Sequence, residues 1–279
     1  AKLVKDFPRI PGIDFSGTVA ESNTDEFKEG DEVILTGCRV GEIYHGGYSQ
    51  LAKVKKEFLI KKPKNLSNKE AMVMGTAGFT ALLCALAINA REALLLGEKV
   101  NDVLVTGASG GVGSVAVMAL TKMGYNVTAV TGKPESSEML KKLGAKNIIN
   151  RSDFEGEPKL LGKAIWDGVV DTVGGNILAH AISQTKHSGI VAACGNAGGV
   201  KLNTNVMPFI LRGVKLWGVD SIQVSMKRRE FVWSQVEKLI DFKILEELVH
   251  VINMDELIKI YPKILKGQIS GRVVVDVNK

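Results

Sequence analysis

The residues with the clearest capacity for chemistry are Ala108, Ser109, Gly110, Gly111, Val112 and Gly113. They join an apolar run, Val103-Leu104-Val105-Thr106, to a stretch over 114–123 whose apolar residues recur at helical spacing. Positions 108, 110 and 113 form an Ala-x-Gly-x-x-Gly pattern. In a strand–turn–helix setting each small residue has a physical reason to be there. The first permits a tight turn, the second lets the backbone approach a pyrophosphate, and the third lets helix and strand pack closely. The start of the helix adds unpaired N–H groups that attract phosphate. Dinucleotide binding is the chemistry implied; a purely structural glycine turn is the plain alternative.

The end of the following strand discriminates between dinucleotides. An NAD site places Asp or Glu roughly twenty residues beyond the glycines, where it holds the ribose 2′-hydroxyl. After Asn126-Val127-Thr128-Ala129-Val130 this chain has Thr131, Gly132 and Lys133, with no carboxylate before Glu135. Arg151, beyond the third-strand run Asn147-Ile148-Ile149, supplies a second cation, and guanidinium pairs well with phosphate. NADPH is therefore the expected cofactor; the alternative is that Lys133 and Arg151 are solvated surface charges.

These residues need a scaffold, and the chain has the means to build one. Its 279 residues are 45% hydrophobic and 24% charged, enough for a sizeable core in two domains. From residue 102 to 220 strand patterns alternate with helical ones, which predicts a doubly wound parallel sheet. Further strands are expected at 168–173, 189–194 and 214–219. Residues 1–70 are turn-rich, with strand patterns at 17–19, 30–35 and 46–54. Helices are expected at 69–90 and 228–240, and a last strand at 272–277 should return to the first domain. The domain boundaries follow: 1–72, 73–222 and 223–279, the last rejoining the first.

Composition also narrows the function classes. The longest apolar run, 71–90, is expected to fall short of a membrane span because Gly75, Thr76, Gly78, Thr80 and Asn89 interrupt it. The opening residues carry no signal-peptide pattern, and Cys38, Cys84 and Cys194 are few, odd in number and far apart, so a reducing cytoplasmic compartment is expected. The net charge of +6 is dispersed; its one compact cluster, Lys227-Arg228-Arg229, reads as a solvated helix start rather than a nucleic-acid patch. No nucleic-acid or membrane partner is expected.

A series of longer motifs makes a resemblance specific. Pro11-Gly12-Ile13-Asp14-Phe15-Ser16-Gly17, Gly30-Asp31-Glu32-Val33, Gly75-Thr76-Ala77-Gly78, the glycine loop, Asp171-Thr172-Val173-Gly174 and Gly271-Arg272-Val273-Val274-Val275 occur in the order of the medium-chain dehydrogenase/reductase family. Leu35-Thr36-Gly37, Val40-Gly41-Glu42, Ala193-Cys194-Gly195, Met207-Pro208-Phe209-Ile210-Leu211-Arg212 and Gly218-Val219-Asp220-Ser221 resemble its zinc-independent branch of acrylyl-CoA reductases and quinone oxidoreductases. The resemblance covers the whole chain. It implies a Rossmann domain inserted in a GroES-like β-rich domain, a cleft between them, and about fifty family residues ahead of Ala1 that include an Asn-Tyr-Lys-Asp motif.

By the same resemblance Asp14 and Arg272 belong to the polar active site, and Asn196, Ile210 and Ser221 flank the nicotinamide half of the cofactor. Asp14 either orients Arg272 or holds the nicotinamide ribose; as a bare sequence feature it is equally a turn-capping aspartate after Pro11-Gly12. Zinc is not expected: Gly12-Ile13-Asp14 stands where zinc-dependent relatives have Gly-His-Glu, and His45, His180, His187 and His250 show no ligand spacing. The implied reaction is NADPH-dependent reduction of the carbon–carbon double bond of acrylyl-CoA or a similar short enoyl-CoA. Alternatives are a quinone or general enone reductase and a non-catalytic NADPH-binding protein. Such relatives commonly pair their last Rossmann strand across a two-fold axis, so a homodimer is expected.

Overall fold

A computed structural model describes residue 4 and residues 6–94 and 99–279. They divide into two units, one comprising Ala1–Phe79, Ser221–Glu237 and Leu245–Lys279, the other Thr80–Asp220 and Lys238–Ile244.

The first unit opens with an antiparallel sheet of β1 (Asp14–Thr18), β2 (Glu32–Thr36) and β3 (Ile60–Lys61), with Asp14 opposite Thr36. Val33, Ile34 and Leu35 of β2 are buried, as a continuous apolar run requires. The strand expected at 46–54 does not form. Gly46, Gly47 and Tyr48 donate their backbone N–H groups to Ile10, Gly12 and Pro11, so this segment is used to clasp the 10–12 turn rather than to extend a sheet. The contact is close enough that a Cβ on Gly46 would lie 2.1 Å from the Pro11 carbonyl oxygen.

Helix α1 (Asn68–Leu94) begins with a capping box: Ser67 Oγ accepts from the Glu70 N–H and Glu70 Oε2 accepts from the Ser67 N–H. Of the five residues expected to interrupt it, only Gly75 leaves helical geometry (φ 48°, ψ −158°). The stretch Asn68–Arg91 is in fact long and apolar enough to cross a membrane, which corrects the sequence expectation; 78% of its most apolar window is buried against protein.

The second unit is built from β4 (Asp102–Val105), α2 (Gly111–Lys122), β5 (Asn126–Thr131), α3 (Ser137–Lys142), β6 (Asn147–Asn150), β7 (Trp166–Asp171), α4 (Gly175–Ser183), β8 (Thr185–Ala193), α5 (Met207–Arg212) and β9 (Lys215–Gly218). The strands form one parallel sheet in the order β6-β5-β4-β7-β8-β9. Leu104, Val130, Val169, Ile182 and Val191 lie in its core, which is why the central strands read as unbroken apolar runs. Strands β6 and β9 are its edges, and all four residues of β9 are exposed.

The remainder consists of α6 (Met226–Ser234), α7 (Val236–Leu239), α8 (Phe242–Glu246), β10 (Val249–Asn253), α9 (Leu257–Leu265) and β11 (Arg272–Asp276). The single helix expected over 228–240 is thus two. Lys238–Ile244 groups with the second unit, where the Asp241 N–H reaches Met118 Sδ (3.1 Å) and its carboxylate approaches Lys122. Strand β11 rejoins the first unit and pairs in parallel with β10. Arg229 is not the solvated residue expected: it is 1% exposed, with its guanidinium 4.6 Å from the Phe79 ring centroid.

Candidate active site

In the second unit the chain leaves β4 for β5 on one side and later fills β7 and β8 on the other, so the loops after β4 and β7 flank the point where strand order reverses. Open parallel sheets bind ligands at the carboxyl ends of strands at such a point. The loop after β4 holds the glycine pattern. Its tight turn is made by Gly107 (φ 59°), not by Ala108, and a Cβ on Gly107 would meet Thr172 Oγ1 at 2.2 Å. Gly113 packs as its place in the pattern requires, since a Cβ there would lie 2.3 Å from the Gly107 carbonyl oxygen. Gly110 is the N-cap of α2 and no side chain caps that helix, which leaves the N–H groups of its first turn for an anion.

Buried Asp171, at the end of β7, stitches the two loops together. Its Oδ1 accepts from Thr106 Oγ1 (2.6 Å) and its Oδ2 from the Gly174 N–H (2.7 Å), while Thr172 bonds both the hydroxyl and the carbonyl of Thr106. Burial pushes the Asp171 carboxyl above its ordinary range, against the pull of those donors. The sequence displayed this residue only as part of a motif; an acid closing an apolar strand just before a glycine pair was the signal for its role.

At the end of β5, Thr131 Oγ1 lies 3.0 Å from Ser109 Oγ and accepts from the Lys133 N–H. Arg151 begins a 3-10 turn over Arg151–Phe154, and its guanidinium covers Gly132 so closely that a Cβ there would lie 3.1 Å from Cζ. Gly110 to Gly113, Thr131 to Lys133 and Arg151 thus follow the carboxyl ends of the adjacent strands β4, β5 and β6, and these groups fit a dinucleotide with a phosphate on its ribose. Asn196 adjoins the loop after β7 instead, its Cα 3.2 Å from where a Cβ on Gly174 would be. Ile210 lies on α5 and is 68% exposed; its neighbour Arg212 donates to carbonyls of Gly162, Ser183 and Thr185 at the amino end of β8.

In the first unit Asp14 and Arg272 meet at the break in α1. Asp14 Oδ2 accepts the Thr76 N–H (2.7 Å), and Oδ1 accepts from the Thr76 hydroxyl and the Gly37 N–H. Arg272 donates from Nε to the Val73 carbonyl (2.8 Å) and from Nη2 to that of Met74 (3.3 Å). One side chain therefore caps the start of the second half of the helix and the other the end of the first. Gly75 sits between them: a Cβ there would lie 2.7 Å from Asp14 Oδ2 and 3.1 Å from Arg272 Nη2. Burial raises the Asp14 carboxyl and lowers Arg272, each opposed by the charge of the other. Tyr48 shares the cluster and is pushed up by burial and by the charge of Asp14.

Ser221 lies on a segment anchored by Arg229, which donates to the carbonyls of Ser221 and Ile222 and to both oxygens of Thr36. Among the described residues no three His, Cys, Asp or Glu side chains are grouped as a metal would need, and the His45 imidazole accepts from the Ile10 N–H. The described residues offer no set of ligands for a zinc centre of the Cys/His type.

Comparison with known proteins adds two family matches: zinc-binding dehydrogenase over residues 111–241 and the alcohol dehydrogenase GroES-like domain over residues 2–64. The acrylyl-CoA reductase AcuI of Ruegeria pomeroyi is 46% identical over 277 residues, 99% of this chain and 83% of that protein. The yhdH oxidoreductase of Salmonella enterica, crystallised in complex with NADP, superposes with a TM-score of 0.95 at 43% identity, covering 99% of this chain and 84% of that one. YhfP of Bacillus subtilis, a putative quinone oxidoreductase, is 44% identical over 98% of this chain and 82% of that protein. Its crystal structure, with NAD bound, superposes with a TM-score of 0.92 and covers 98% of this chain and 83% of that one.

Proposed function

Because the chain belongs to the medium-chain dehydrogenase/reductase family, we propose that it is an NADPH-dependent reductase of the carbon–carbon double bond of acrylyl-CoA or a similar short enoyl-CoA. The observation that carries this reading is the strand end where Lys133 and Arg151 flank Gly132 with no carboxylate in the position an NAD site would fill. The name of the Ruegeria relative supports the substrate.

NADPH, when bound, supplies a hydride for the β-carbon of the conjugated thioester. The first-turn N–H groups of α2, with Ala108 to Gly113, take the pyrophosphate; Thr131, Lys133 and Arg151 take the 2′-phosphate. Asn196, Ile210 and Ser221 are assigned to the nicotinamide half on family position alone. Negative charge develops on the thioester oxygen before a proton returns to the α-carbon, and Arg272 is the donor assigned to it, with Asp14 holding the arginine in place. Arg272 commits Nε and one N–H of Nη2 to α1, and its remaining N–H groups are the ones assigned to this role. No step needs a metal.

Steady-state turnover with acrylyl-CoA against a soluble quinone tests the reading. Reduction of the thioester is expected; reduction of the quinone alone would transfer the proposal to the quinone oxidoreductase suggested by the name of the Bacillus relative. NADPH binding without turnover of either would point to a non-catalytic protein. The three free thiols fit a cytoplasmic enzyme, and exposed Leu216 and Trp217 on the edge strand fit a homodimer.

A further inference from the structure

The segment leaving β2 passes through three successive residues in the left-handed region, Gly37 (φ 71°), Cys38 (φ 52°) and Arg39 (φ 60°). Two of them carry side chains, and backbone strain of this kind persists only where the surroundings impose it, most often at sites that bind. The surroundings here are explicit. The Gly37 N–H is shared between the Ile13 carbonyl and Asp14 Oδ1, Arg229 grips Thr36, and the Arg39 carbonyl accepts from the N–H groups of Glu42, Ile43 and Tyr44. What this scaffolding presents to solvent is a cation and an aromatic face: the Arg39 side chain is 49% exposed and Tyr44 37%.

A second cation completes the patch. Lys55 Nζ lies 3.3 Å from the Tyr44 hydroxyl and 5.0 Å from its ring centroid, and Phe58 packs against the same ring with centroids 5.2 Å apart. Nearby Lys56, Lys61 and Lys62 are each paired with an acid, Glu26, Asp31 and Glu32; Lys55 has no carboxylate partner among the described residues. Arg39 is paired with Glu42 through Nε (3.5 Å), and its terminal amino groups have no acid among the described residues. A part-exposed aromatic ring with Arg39 bonded to its backbone and Lys55 at its hydroxyl suits a nucleotide with phosphates: ammonium and guanidinium for the phosphates, the ring for a base.

We propose that Arg39, Tyr44 and Lys55 dock the nucleotide end of a coenzyme A thioester, the cations holding its phosphates and the exposed Ile43–Tyr44 surface its adenine. This rests on the enoyl-CoA reading of the function. The loop starts at the Asp14 hydrogen bond, and Gly37 to Tyr44 spans at most about 25 Å even fully extended. The patch therefore lies no farther than that from the hydrogen bond between the Gly37 N–H and Asp14. A quinone offers no phosphate for its cations to hold.

The test titrates NADPH-saturated protein with coenzyme A itself by calorimetry at low and high salt, comparing the wild type with Arg39→Gly/Lys55→Gln. Glycine suits the backbone at 39, so the variant is expected to fold with no loss of thermal stability. Saturable binding that weakens with salt, and at least tenfold weaker binding in the variant, are expected. In parallel, kcat/KM for acrylyl-CoA over that for acrylyl-pantetheine should be at least tenfold in the wild type and near one in the variant. Equal coenzyme A affinity in the two proteins, or a ratio that survives the substitutions, would overturn the docking site. Failure of the wild type to reduce either thioester would sink the enoyl-CoA function instead, and the calorimetry would still decide whether the patch binds.

Discussion

Two cations decide the cofactor in this reading, and their effect is measurable one residue at a time. A charge-assisted contact to the 2′-phosphate is worth roughly tenfold in affinity, so NADPH is expected to bind at least about tenfold more tightly than NADH. Nicotinamide fluorescence titration reports both constants; equal affinities would remove the assignment, and Lys133→Glu should narrow the gap. NAD in the crystal structure of the Bacillus relative makes this ratio worth measuring first. Arg272→Ala is expected to lower kcat/KM for acrylyl-CoA by about a hundredfold with NADPH affinity nearly unchanged, since a lost donor to a developing oxyanion costs about 3 kcal/mol. The same arginine holds the carbonyls of Val73 and Met74, so a control is needed. Thermal stability measured beside turnover supplies it: if Arg272→Ala lowers thermal stability while turnover per folded molecule stays near that of the wild type, the arginine is a strut and not a catalytic donor.

At the scale of elements, the carboxylate that ties β4 to β7 should reveal itself in the pH dependence of stability. Burial raises the Asp171 carboxyl above 3.8 in the folded state. A raised folded value means the folded state holds the proton more tightly than the unfolded chain, so the contribution is fully present below 3.8 and is lost as pH rises through the folded value. The stability of the wild type minus that of Asp171→Asn, from denaturant melts between about pH 3 and pH 7, should fall as pH increases; a difference that grows with pH would contradict the burial argument. Strand β9 makes a second prediction, since an exposed apolar edge strand invites pairing. Sedimentation is expected to show a dimer at micromolar concentration and a monomer for Trp217→Lys; a wild-type monomer would end the proposal.

For the molecule as a whole, activity without metal is expected: elemental analysis should find no stoichiometric zinc and a chelator should leave turnover unchanged. Activity lost to chelation and restored by zinc would remove the mechanism. The scaffold behind that mechanism was readable from the chain in part. Parallel strands covered on both faces are apolar through their centres, so β4, β5 and β7 announced themselves, and the glycine pattern between β4 and α2 marked the switch point. The missing acid after β5 was equally legible because it depends on residue type at a fixed distance from the glycines. Local pattern determined these features, since a strand, a turn and a helix start are set by neighbours in sequence. Features decided by partners far along the chain were not legible. Residues 46–54 alternate like a strand but have the 10–12 turn, not a sheet edge, to bond. Arg229 looks like a solvated cation until Thr36, nearly two hundred residues away, and Phe79 enclose it. Gly75 reads as one breaker among five, and only the meeting of Asp14 and Arg272 at its open side makes it the one that breaks the helix. Long-range contacts carry no periodicity, and for that reason only the tertiary structure could place them.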